Sequence, residues 1–214
     1  MIANQQVEEK LAASNDIEST AYHEAGHAVM AYLQDVEFEY VTVEPNDTLE
    51  GHVRFNLDAN LSREYKVFCI YNPGCFSPAG YGNSLDVTVD PRIRFFAESQ
   101  MLICAAGPAA ELIYQKENVF KWKGSGLRDL IAFSSYAESV TVTEDECSAY
   151  CEWMQERVWA LMHIPSHQKA IRALAKALIK RGTINYSDAE KIIGYSFKRS
   201  LPSVQRAFLK MVNG

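Results

Sequence analysis

The stretch STAYHEAGHAVMAYL, Ser19 to Leu33, carries two histidines four residues apart and a glutamate directly after the first. On a helix over residues 20–34, His23 and His27 project from one face, where both rings can offer a nitrogen to one tetrahedral ion. Glu24 then lies beside that ion, within reach of a water bound to it, as metal-assisted hydrolysis requires. A plainer reading is a pair of packed histidines. The apolar residues Tyr22, Ala25, Ala28, Val29, Tyr32 and Leu33 form their own stripe, however, and leave both histidines on its flank. Gly26 costs about 1 kcal/mol against alanine inside a helix and asks for a packing or functional reason.

A catalytic zinc keeps three protein ligands and one open position, so a third Asp, Glu or His must come from further along the chain. Glu111, in GPAAELIY, and Asp129, in GSGLRDLIAF, both fall on expected helices, and periodicity does not choose between them. His52 opens a strand that follows the first helix and could face the metal, although a lone strand histidine is more often a surface residue. His163 and His167 repeat the four-residue spacing, but Pro165 between them disfavours one continuous helix. Cys147 and Cys151, also four apart, have no nearby histidine and read as core residues.

The elements that must position these residues follow from pattern and punctuation. EFEYVTV alternates, turn residues follow at Glu44 to Asp47, and GHVRFNL alternates again, giving a β-hairpin or two neighbouring strands. KVFCIY is a third candidate strand, and the Gly-, Pro- and Ser-rich run after it reads as a functional insert or flap between about Asn56 and Asp90. From Pro91 the chain turns helical, with a break expected at Gly107-Pro108 ahead of AAELIYQ. A helix from SGLRDLIAF has Ser125 as a possible cap, with Leu127, Leu130, Ile131 and Phe133 available to anchor it. Thr143 and Glu146 form a capping box for a helix reaching about His163; another runs from Pro165 to a stop at Gly182; Ser187 with Glu190 caps the last. The expected fold is α+β, mainly α-helical, with the metal-site helix beside a small sheet. It forms one domain over 1–214, with a zinc-site part at 18–142 and a helical part at 143–214.

A 214-residue chain that is 48% hydrophobic can bury one sizeable core. Its net charge of -6, without a dense Lys/Arg cluster, argues against a nucleic-acid partner. The first residues lack a basic leader with an apolar core, and no run of 18 apolar residues occurs, so a cytoplasmic protein without a membrane segment is expected. Five cysteines without CxxC spacing suit reduced thiols.

In order, AYHEAGHAVMAYL, VTVEPND, GHVRF, AAGPAAELIY and GSGLRDLIAFSSYA resemble the peptidase domain of the FtsH-type zinc proteases, and ALIKRGTINYSDAEKII resembles its closing segment. The resemblance implies Zn2+ as cofactor, His23, His27 and Asp129 as its ligands, Glu24 as the catalytic base, and Glu111 as a support for a ligand rather than a ligand itself. The sequence departs from the family in having no GxxxxGK[ST] phosphate loop and no transmembrane segment, and in carrying Arg128 where an asparagine usually precedes the ligand aspartate. The expected activity is therefore peptide-bond hydrolysis in peptides or unfolded segments, with residues 51–57 as an edge strand for the substrate and folded proteins needing a separate ATPase. The rival expectation is a zinc-binding regulatory or interaction module of protease ancestry; a different zincin class with Glu111 as third ligand is another.

Overall fold

The computed structural model describes residues 2–45, 51–55, 91–123 and 126–200. Among them lie six helices and three strands: α1 (Ile2–Leu33), β1 (Phe38–Thr42), β2 (His52–Phe55), α2 (Pro91–Tyr114), α3 (Leu127–Glu138), α4 (Glu144–Met162), α5 (Pro165–Arg181), β3 (Thr183–Asn185) and α6 (Tyr186–Ser200). The class is α+β and mainly helical, as the patterning implies. The expected strand KVFCIY and the insert before Asp90 lie outside the described residues. No described helix is long and apolar enough to cross a membrane.

α1 is the central element. It begins well before residue 20, and from Ala21 to Ala31 every residue except Tyr22 is buried, so the helix is enclosed around nearly its whole circumference. Small side chains make this possible. A Cβ at Gly26 would collide with the Ala106 carbonyl of α2 and lie 2.7 Å from the Ala110 Cβ, so Gly26 lets the two backbones approach more closely than a side chain would permit. Ala105, Ala106, Ala109 and Ala110 present the matching small surface, all of them buried. On its other sides α1 packs on α5 and the sheet.

The hairpin forms as expected, with β1 and β2 antiparallel and Thr42 opposite His52. A strand not expected from the sequence completes the sheet: β3 pairs antiparallel with β1, Val41 facing Ile184, in the order β2-β1-β3. Three residues carry too little periodicity to announce a strand, and β3 exists because β1 offers it a partner. Gly182, with φ +73, turns the chain from α5 into β3 with a conformation that L-residues rarely adopt.

Several helix boundaries correct the sequence reading. The break at Gly107-Pro108 does not occur, and α2 runs through both residues. Proline removes one helical N–H, but packing holds this turn in place. Gly107 lies against the His27 ring, and the Pro108 ring reaches the N-cap of α3, where a Cβ at Gly126 would sit 2.9 Å from its Cγ. The N-cap of α3 is thus Gly126, without a side-chain cap, rather than Ser125. Phe133 and Ala137 anchor α3 in the core, whereas Leu127 and Ile131 are exposed. Asn185, not Ser187, caps α6: its Oδ1 accepts from the Asp188 N–H at 2.9 Å. The box at Thr143 holds, with Thr143 Oγ1 accepting from the Glu146 N–H at 3.1 Å and Glu146 Oε2 reaching the Val142 N–H at 2.8 Å.

Candidate metal centre

Three elements bring the site together. α1 supplies His23 and His27 one turn apart, α2 supplies support from behind, and the first turn of α3 supplies Asp129, where the partial positive charge of the helix N-terminus favours a carboxylate. His23 Nε2 lies 3.2 Å from Asp129 Oδ2, and His27 Nε2 lies 3.5 Å from Asp129 Oδ1. Both histidines are buried. One donor atom from each of the three residues falls within 4.8 Å of the others. Ligands about 2.0–2.1 Å from a common tetrahedral centre stand roughly 3.3 Å apart; each histidine is near that distance from one Asp129 oxygen, though not the same one, and the full set would draw together by about an ångström to close on an ion. The group could therefore hold a metal ion.

The other ring nitrogens are committed to protein partners, which fixes each ring with Nε2 inward. His27 Nδ1 meets the Ile103 carbonyl at 2.8 Å. His23 Nδ1 meets Glu111 Oε2 at 3.0 Å, while Glu111 Oε1 accepts from Ser19 Oγ at 2.9 Å and from Gln115 Nε2 at 3.1 Å. Glu111 thus stands behind His23 rather than among the three converging groups. Gly107 completes the cradle. A Cβ there would strike the His27 ring, 2.6 Å from Cδ2, so only glycine leaves that imidazole its place.

The electrostatics follow from this enclosure. Burial alone would depress His23, but hydrogen bonds to Asp129 and Glu111 and the charge of Glu24 push it up to about 10. His27 is raised as well, burial opposing and Asp129 prevailing. Asp129 sits far below the carboxylate range: burial works to raise it, and the two histidines overcome that. Glu24 is raised, chiefly by burial, against the pull of His27 and His23. Glu24 packs beneath the start of β2, where a Cβ at Gly51 would lie 3.0 Å from its Cγ.

The structure thus brings together His23, Glu24, His27 and Asp129, and it places Glu111 one layer out. His52 is turned to other partners, its Nε2 lying 3.2 Å from the Tyr40 hydroxyl. Cys147 and Cys151 are free thiols packed against the core. Three contributors went unrecognised in the sequence: the Ile103 carbonyl, Ser19 and Gly107. Only Gly107 left a signal, as a glycine inside a helical pattern. No protein-family model matches the chain, and no curated protein matches it.

Proposed function

We propose that the chain is a zinc-dependent metallopeptidase acting on peptides or unfolded segments. The observation that carries this reading is the convergence of two histidine nitrogens and one carboxylate on a buried point, with Glu24 enclosed on the same turn of helix. Two imidazole nitrogens and one carboxylate oxygen are a donor set that suits Zn2+, and three protein ligands would leave a fourth position open. The order of motifs shared with FtsH-type peptidases supports the same assignment.

His23, His27 and Asp129 would hold Zn2+, which would supply Lewis acidity toward a carbonyl oxygen. Glu24 is placed to accept one proton from the attacking water as its oxygen adds to the peptide carbonyl carbon, and to return the proton to the amine nitrogen as the C–N bond breaks. Glu111 and the Ile103 carbonyl hold the two imidazoles in place throughout. β2 is an edge of the described sheet and begins beside Glu24, so an extended peptide can align on its free side through backbone hydrogen bonds. Such pairing reads backbone more than side chains. Folded substrates would need a separate ATPase to open them.

The test is Glu24→Gln, which keeps the shape and removes the base. The parent is expected to bind about one zinc and cleave casein; the variant should keep the zinc and lose roughly 10²–10⁴-fold in rate. Equal rates would remove Glu24 from the chemistry. Zinc binding without cleavage by the parent would favour the regulatory or interaction module.

A further inference from the structure

Apart from the metal centre, α1, α2, α4 and α5 enclose a cleft of about 290 Å³. That is the lower end of the range for small-molecule sites, which suits a ligand smaller than a typical drug. Its floor is apolar, with Met162 and Ile171 buried. Tyr22 and Tyr114 form one wall, stacked with ring centroids 4.2 Å apart. Tyr114 donates its hydroxyl hydrogen to Glu18, which keeps that ring in place.

Two cations stand at the rim, and neither Lys116 nor Arg172 has a carboxylate partner among the described residues. Among the described residues, Arg172 Nη1 donates to Gln168 Oε1, another residue of the cleft, at 3.3 Å. In a chain of net charge -6, two cations with no acid partner among the described residues, beside an apolar hollow, point to an anionic ligand.

The backbone of Lys116 is a second, independent sign. α2 ends in a Schellman turn, with Glu117 N–H bonded to the Leu112 carbonyl at 2.9 Å and Lys116 N–H to the Ile113 carbonyl at 3.1 Å. The residue at its left-handed position is usually glycine; here it is Lys116, with φ 63. A lysine is strained in that conformation, and such strain concentrates where a side chain has work to do.

We propose that this cleft binds a small amphipathic carboxylate, with its apolar tail over Met162 and Ile171 against the tyrosine wall and its carboxylate held by Lys116 and Arg172. The charge-assisted contacts set the headgroup requirement, and the half-open apolar hollow sets the tail.

Calorimetric titration with decanoate, octanoate and decanol tests this below their micelle or solubility limits. One decanoate per chain is expected, weaker binding of octanoate by up to about fourfold per methylene removed, and clearly weaker binding of decanol. Lys116→Gly should raise the melting temperature by about 2–4 °C by relieving the left-handed lysine, and together with Arg172→Gln it should weaken decanoate by about tenfold or more. A raised or unchanged melting temperature excludes misfolding as the cause of that loss. Decanol binding as tightly as decanoate, the double variant binding like the parent, or no decanoate binding at all would each overturn the proposal.

Discussion

Two histidine pairs in this chain share the same spacing and have different surroundings. In both, the Nδ1 atoms are engaged: His23 with Glu111, His27 with the Ile103 carbonyl, His163 with the Trp159 carbonyl at 2.8 Å and His167 with the Leu161 carbonyl at 2.9 Å. The first pair sits on one uninterrupted helix, with both Nε2 atoms turned to Asp129. The second straddles the join of α4 and α5, and its rings lie against different aromatics, Trp159 for His163 and Phe197 for His167. The charges diverge accordingly. Carboxylates drive His23 up, whereas burial holds His167 below the ordinary histidine value. Spacing makes a pair possible; a continuous helix and a facing carboxylate make it a candidate ligand set.

The largest expected effect separates the two pairs directly. His23→Ala and His27→Ala should each lose the bound zinc measured by elemental analysis, while His163→Ala and His167→Ala should retain about one equivalent per chain. Equal retention in all four variants would place the metal elsewhere.

Acidification should sharpen the same contrast. A proton held on His23 by Asp129 and Glu111 must leave when a metal takes Nε2, so affinity falls as pH falls and rises as pH rises. Between pH 6 and pH 8, below the raised value of about 10, zinc affinity should increase by about tenfold per pH unit for one displaced proton. Competition titration against a chelator at several pH values reads this slope, and a flat profile would show that no proton is displaced.

Crowding the cradle comes next. Gly107→Ala puts a methyl group into the His27 ring, and such overpacking should cost about 1–3 kcal/mol of stability by denaturant unfolding and weaken zinc binding with it. Unchanged stability and affinity would mean that the ring has room to move. The smallest effect belongs to the region around the second pair: Thr143→Ala removes the cap of α4 and should cost about 1 kcal/mol without changing zinc affinity.

Much of this arrangement was legible in residues whose signals are local. The histidine spacing, the Thr143–Glu146 box, the proline that opens α5, the glycine that closes it and the alternating hairpin are each set by a few neighbouring side chains. What escaped depends on partners distant in sequence. Pro108 stays helical because α1 and α3 pack around its turn, and β3 is a strand because β1 lies beside it. Of the expected anchors of α3, Phe133 is buried, but Leu127 and Ile131 are exposed and Ala137 is buried in their place, because helical periodicity does not tell which of two apolar faces the neighbours will cover. At the site helical periodicity left Asp129 and Glu111 level, and within the sequence only the resemblance to FtsH-type peptidases favoured Asp129. Their separation into converging group and support became visible in the distances to His23 and His27.

That separation is the claim most open to direct measurement. Zinc is titrated into Asp129→Ala and Glu111→Ala in parallel with the parent. The account predicts that Asp129→Ala empties the site and that Glu111→Ala still binds about one equivalent, with affinity lowered by about 10–100-fold because only the support of His23 is lost. Abolished binding in Glu111→Ala together with parent-like binding in Asp129→Ala would contradict it.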